Sequence, residues 1–220
     1  MNFFDWDFAL SILPDLLKAS LNTLLITFAG FAIAIVVGLL LAIARRSKHL
    51  WLSWPVAGLI EFIRSTPLLI QVYFLFYVFP NYGLNLTALQ AGILGIALHY
   101  ACYTAEVYRA GLDAVPRGQW EAVTALNMSP LSAYRQIILP QALRPILPAL
   151  GNYLVAMLKD TPVLSAITVV EIMQQAKNIG SESFRYLEPI TMVGIFFLAL
   201  SLALAWCVRR MEDRLEVTPR

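Results

Sequence analysis

Residues 21–44 read LNTLLITFAGFAIAIVVGLLLAIA, with no charged side chain anywhere in the run. A helix of about 20 apolar residues crosses the hydrocarbon of a bilayer. A helix apolar on every side needs burial or lipid all round. The stretch therefore points to an all-α integral membrane protein. Gly30, Ala34, Gly38 and Ala42 recur at every fourth position, which sets four small residues on one helical face. In lipid, such a face lets two helices approach until dispersion holds them together.

Four more stretches of similar length come after it. Residues 56–80 carry Glu61 and Arg64 near their start. Residues 86–108 are uncharged as far as Ala105. Residues 146–170 are interrupted by Lys159 and Asp160, and 189–208 are uncharged up to Val208. The sequence thus predicts five transmembrane helices in one membrane domain over 1–220, with no internal repeat. Composition agrees: 59% hydrophobic and 14% charged residues, with a mean hydropathy of +0.69, against roughly 45–50% apolar and 25% charged in soluble domains. The opening MNFFDWDF has acids where a cleavable signal would be basic. Residues 1–20 read as an interfacial lead-in or an extension of the first span. Cys102 and Cys207 both fall in spans and read as small buried hydrophobes, with no disulfide or metal role.

With five spans the termini lie on opposite sides. One side collects Arg45, Arg46 and Lys48, then Arg109, Arg117, Arg135 and Arg144, then Arg209, Arg210, Arg214 and Arg220, with Arg64 at the base of the second span. The other holds Lys18, Lys177 and Arg185. Excess Lys and Arg mark the cytoplasmic side. This predicts a multi-pass membrane protein, its N-terminus outside and its C-terminus in the cytoplasm. On the outer side, Asn81–Asn85 reads as a hairpin turn and 171–188 as a loop of mixed charge.

The cytoplasmic loop over 111–145 is punctuated for helices. Pro116 suits a first turn. Asn127 suits a left-handed C-terminal cap. Ser129-Pro130 is an N-cap followed by proline at the first position, and Pro140 is expected to end the second helix. Leu131, Tyr134 and Ile138 form an apolar stripe that needs a protein partner or a seat against the bundle.

The run from Gly118, GQWEAVTALNMSPLSAYRQIILPQALRP, resembles the EAA loop of ABC importer permeases. Glu121-Ala122-Val123 stands for Glu-Ala-Ala, Asn127 stands where glycine is usual, and Ile137, Leu139 and Pro140 match the end in register. The segments EFIRSTPLL at 61–69, AEVYRAG at 105–111 and LKDTP at 158–162 are similar to the polar amino acid branch of that family. The resemblance implies a type I importer permease fold in which this loop is a coupling helix. Glu121, Ala122, Leu126, Asn127, Leu131, Tyr134, Ile137, Leu139 and Pro140 would dock in a groove of a cytoplasmic ATPase. It also implies a second permease, identical or homologous, and an extracytoplasmic solute-binding protein. Polar amino acids are the implied cargo, with compatible solutes such as ectoine a related option.

The chain carries no GxxxxGK[ST] loop, HExxH or GxSxG motif, and no paired Cys/His spacing. It is expected to be no enzyme, to hold no cofactor or metal and to leave ATP to the partner subunit. Nucleic acid is not an expected partner. An ATP-independent carrier or channel subunit is the alternative reading, and it has no need of the EAA loop. Ionisable residues at membrane depth mark functional sites by default. Lys159, Asp160 and Thr161, next to Pro162 and an expected break or kink, are candidates for the path or its gate. Glu61 and Arg64, spaced to pair, and His99 in the third span are further candidates. For each, a purely structural role stays open.

Overall fold

The computed structural model describes residues 4–215. Met1–Phe3 of the lead-in and Arg220 lie outside them. Among the described residues the chain is helical throughout, with no strand. A short helix α1 (Trp6–Ser11) leads into α2 (Leu13–Arg45). Then come α3 (Leu50–Arg64), α4 (Leu68–Tyr73), α5 (Ala88–Asp113), α6 (Arg117–Ala125), α7 (Pro130–Ala133), α8 (Leu139–Asp160), α9 (Ile172–Ser183) and α10 (Leu187–Leu215).

α2 and α10 are each long and apolar enough to cross a membrane. Two bent pairs bring the number to four if each pair is one span. Their exteriors are apolar: Leu25, Val36, Leu40 and Ile43 on α2, and Ile195, Leu198, Leu202 and Trp206 on α10, are exposed. In water such a surface would be a liability, whereas in lipid it is solvated. Cys207 is also on this exterior, contrary to the buried position expected of it, while Cys102 is buried.

The small-residue face of α2 is real packing. Gly30, Ala34, Gly38 and Ala42 are all buried, and the face lies against α5. A Cβ on Gly38 would sit 2.0 Å from Thr104 Oγ1 and 2.8 Å from the Ala101 carbonyl oxygen. The Thr104 hydroxyl donates to the Ala34 carbonyl at 2.9 Å. α5 is the central helix, with residues from Ala91 to Gly111 buried against its neighbours.

Several local expectations need correction. The second stretch is not one rod: α3 and the helix from Leu68 to Tyr82 meet at 105°. Pro67 disfavours a helical residue before it, and the break falls at Ser65–Pro67. Pro140 does not end a helix. A π turn over Tyr134–Ile138, with the Leu139 N–H bonded to the Tyr134 carbonyl, widens the backbone where the proline ring would strike the preceding turn. The same device occurs at Phe74–Val78, just before Pro80. The Leu131–Tyr134–Ile138 stripe, whose last two members are the ends of the first π turn, splits. Leu131 is exposed and Ile138 fully buried. At Pro162 the α-helix gives way to a 3₁₀ turn, Thr161–Ile167. The bend, of 45°, comes after it, where Thr168 takes a left-handed φ of 61°. The expected loop 171–188 is largely helical, as α9.

α1 is fastened to the start of α10. Arg185 pairs with Asp5 at 3.2 Å and Glu188 at 2.6 Å, and lies over the Phe8 ring. The Asp5 carboxylate accepts from the Phe8 N–H at 3.1 Å.

Candidate functional site: a charged aromatic cluster and an exposed helix–turn–helix

α5 carries His99, Tyr100 and Tyr103 into the middle of the bundle. Depth follows from α2, whose Asn22 donates to the Val170 carbonyl at 2.8 Å and whose Gly30 faces Met157 and Ile96. Eight residues at 1.5 Å each put Met157 and Ile96 about 12 Å inside that end of the bundle. The Tyr100 hydroxyl donates to Asp160 Oδ2 at 2.7 Å. The Tyr103 ring lies 5.6 Å from that of Tyr153 and 6.1 Å from that of Tyr100. Arg64, at the end of α3, places its guanidinium carbon 5.3 Å from the Tyr103 ring centre. One cation and one carboxylate thus bracket three tyrosines, without pairing to each other.

Of the residues singled out in the sequence, Arg64, His99 and Asp160 come together here. The others do not. Glu61 is exposed on α3 and makes no ion pair with Arg64, which stacks on Tyr103 instead. Lys159 turns away from Asp160, its neighbour on the helix end. It lines an outward groove of about 300 Å³ with Val155, Phe197, Leu198, Ser201 and Leu202. Thr161 is fully buried and donates to the Leu158 carbonyl at 2.8 Å, which makes it part of the helix-end architecture. Tyr153 is the residue that sequence reasoning missed. It lies on α8 about two turns before Asp160, a spacing that gave no signal without the partner helix.

A second polar assembly lies where α2 and α5 end. Arg45 pairs with Glu106, and Arg46 with Asp113. Arg109 bridges Glu106 at 2.9 Å and Asp113 at 3.0 Å. Glu106, Arg109 and Asp113 are three and four residues apart, hence on one face. That spacing, opposite Arg45-Arg46 at the end of an uncharged run, was the available sign.

Beyond this lattice the chain makes the predicted helix, turn and helix. Asn127 has φ 50°. Its N–H reaches the Thr124 carbonyl and that of Met128 reaches Val123, both at 3.0 Å, which is a Schellman closure of α6. Ser129 caps α7 through the Ser132 N–H, with Pro130 at the first position. Val115, Val123, Ile138 and Ala142 are buried beneath. A Cβ on Gly111 would come within 2.2 Å of Ile146, so α5 and α8 touch there only because that residue is glycine. Glu121, Ala122, Leu126, Asn127, Leu131, Tyr134, Leu139 and Pro140 are exposed. Leu126 and Leu131 are bare at the tip, at 73% and 78%. Ile137 is half-buried, and Tyr134 meets Trp120 edge to face at 5.6 Å.

Residues 34–217 match the family model described as the binding-protein-dependent transport system inner membrane component. The chain belongs to that family of permeases. It is 45% identical to a probable amino-acid ABC transporter permease of Sinorhizobium fredii, over 96% of this chain and 95% of that one. It is 35% identical to the Escherichia coli glutamine transport system permease, over 97% and 99% of the two chains. A crystal structure of an amino acid ABC transporter with histidines superposes with a TM-score of 0.91 at 33% identity, over 96% of this permease and 99% of that chain. The methionine ABC transporter in an inward-facing conformation, at 22% identity and a TM-score of 0.75, shares the fold. As a permease of this family, the chain is the multi-pass membrane component of an import system and is not itself catalytic.

Proposed function

We propose that this permease forms the path for polar amino acids or amino-acid-like solutes in an ATP-driven importer. Five spans carry it, with α5 as the central one and each bent pair counted once. The observation that carries the reading is the cluster in which Arg64 and Asp160 stand at opposite ends of Tyr103, Tyr153 and Tyr100. A zwitterion presents a carboxylate and an ammonium. At membrane depth each needs a fixed opposite charge to replace lost water. The tyrosines supply hydroxyls and aromatic faces for a solute body and for a cation.

In this reading the α6–α7 tip is the coupling surface. Leu126 and Leu131 anchor in a groove of a cytoplasmic ATPase, with Glu121 on the charged rim, in helix-in-groove fashion. ATP is bound and hydrolysed on that subunit. The α6 end then faces the cytoplasm, in keeping with the arginines gathered there, and the α9 end faces the solute-binding protein. A second permease completes the path, because the cluster stands at the edge of one chain's bundle with Arg64 exposed.

The test is import of labelled amino acids into proteoliposomes holding the permease, its ATPase and its binding protein. Asp160→Asn and Arg64→Ala are expected to lower import at least tenfold with subunit assembly intact, the tenfold matching the loss of about 1.4 kcal/mol of charge pairing. Full import by both variants removes the cluster from the path.

A further inference from the structure

The proposed path uses Arg64, Asp160 and the tyrosines and leaves His99 without a task. His99 is 8% exposed, and its Nδ1 lies 3.0 Å from Gln71 Oε1. The neighbouring network fixes which atom donates. Gln71 Nε2 stands 2.7 Å from the Ile63 carbonyl, 3.1 Å from the Thr66 carbonyl and 2.8 Å from Thr66 Oγ1. Carbonyl oxygens only accept, so the side of Gln71 facing them must be its NH₂ group, and the side facing His99 must be its oxygen. An amide oxygen also only accepts. His99 Nδ1 therefore carries the proton, and in the neutral ring Nε2 is left as an acceptor lone pair.

That lone pair has no hydrogen-bond partner among the described residues. The sealed side-chain atoms without partners are Gln174 Oε1 and Ser201 Oγ; Nε2 is not one of them, so it is open to a visitor. The His99 ring packs 5.1 Å from the Tyr103 ring and 5.6 Å from that of Tyr100. These are the rings that link Arg64 to Asp160. An accessible acceptor that no protein donor fills can pair with a solute N–H, and a solute lacking one forfeits that hydrogen bond.

We infer that His99 Nε2 accepts a hydrogen bond from an N–H group of the transported solute, and that Gln71 is the positioning residue that aims it. The inference rests on the path reading of this cluster. It narrows the cargo to solutes with a donor beyond what the Asp160 carboxylate takes, such as an amino acid with a side-chain amide or imidazole N–H. It also ties the path to the fold. Ile63 and Thr66 flank the 105° bend between α3 and α4, so any change of that bend moves the Gln71 clamp and the His99 ring with it.

The experiment is solute binding to the purified permease–ATPase complex, read as Kd by calorimetry with L-glutamine, L-histidine, L-arginine and L-glutamate as probes. His99→Asn keeps a donor for Gln71 but lacks the distal acceptor. His99→Gln places an amide oxygen near the Nε2 position. For the probe that wild type binds, His99→Asn is expected to weaken Kd about tenfold, the loss of one hydrogen bond to a charged or strongly polar group. His99→Gln should recover most of that loss. Gln71→Leu should weaken Kd with the His99 residue intact. Copurification of each variant with the ATPase is the folding control, and Gln71→Leu, which removes the amide bonded to the Ile63 and Thr66 carbonyls, should also unfold at a lower temperature. Wild-type Kd in His99→Asn, or equal loss in the Asn and Gln variants, overturns the acceptor role. Arg64→Ala and Asp160→Asn separate the two levels. If they weaken binding and His99→Asn does not, only His99 is wrong; if none of the three matters, the path reading itself fails.

Discussion

Replacing Gly38 by alanine adds a single methyl group at the tightest point of the α2–α5 contact. That methyl would lie 2.0 Å from Thr104 Oγ1, 2.8 Å from the Ala101 carbonyl oxygen and 3.1 Å from the Ala105 nitrogen. Thr104 can rotate, but doing so abandons its bond to the Ala34 carbonyl, worth about 0.6 kcal/mol between membrane helices. The Ala101 carbonyl belongs to a helix backbone and cannot step aside alone. The two helices must separate by several tenths of an ångström along the Gly30–Ala42 face, at an overpacking cost of about 1–3 kcal/mol. Better helix propensity returns up to about 1 kcal/mol. Gly194→Ala on α10 is the control, since nothing lies within 4 Å of its added Cβ and only the propensity gain remains. Cys102 gives the readout. It is 3% exposed and packed with Ala42, Ile60 and Ala105 on this same interface. In a Cys207→Ser background, a thiol-reactive dye in detergent should report opening at a temperature about 5 °C lower for Gly38→Ala, at about 2–4 °C per kcal/mol for a chain of this size. Gly194→Ala should match or exceed the parent. Equal behaviour of the two alanine variants would refute the close-contact argument.

Three further outcomes are expected. Asn127→Val puts a β-branched residue at φ 50°, a strain of about 1–2 kcal/mol. Solute-stimulated ATPase activity should fall severalfold while membrane insertion and the ATPase activity of the isolated motor stay unchanged. Glu121→Lys reverses a charge on the exposed face of α6 and should lower copurification of the ATPase without altering the unfolding temperature. The docking of α1 should depend on pH through Asp5. The Phe8 N–H, and after it the Arg185 guanidinium, hold the Asp5 carboxyl below its ordinary range. Its contribution is therefore whole above the usual carboxylate pKa of about 3.9 and is lost as pH falls through the lowered value. Limited proteolysis after Trp6 should be flat from neutral pH to about pH 5 and rise only in stronger acid; Arg185→Ala should raise cleavage already at neutral pH.

The parts of this fold that can be read from one sequence are those set by local rules. The every-fourth small residues named the buried face of α2, and Asn127 and Ser129-Pro130 named the turn between α6 and α7, because spacing and cap chemistry act within a few residues. The errors share a different origin. Pro140 looks like a helix end until a π turn widens the preceding backbone, and no residue type encodes that turn. Glu61 and Arg64 are spaced to pair, yet Arg64 takes the Tyr103 ring, a partner on another helix that spacing along α3 cannot reveal. Tyr153 entered the site only through the approach of α8.

The central helix reads as a span from its uncharged run up to Ala105, yet falls short on hydropathy. By length and composition α2 and α10 qualify to cross a membrane alone, and α5, with 26 residues, does not. Hydropathy measures contact with lipid, whereas α5 touches mostly protein. His99, Tyr100, Tyr103 and Thr104 depress its apolar score, and each is held by a partner: Gln71, Asp160, the rings around Arg64, the Ala34 carbonyl. Polar side chains at membrane depth persist only where neighbouring helices or a passing solute satisfy them. The residues that make α5 a poor lipid-facing helix are therefore the ones that tie it to its neighbours, and under the proposed function the same residues would wall the path.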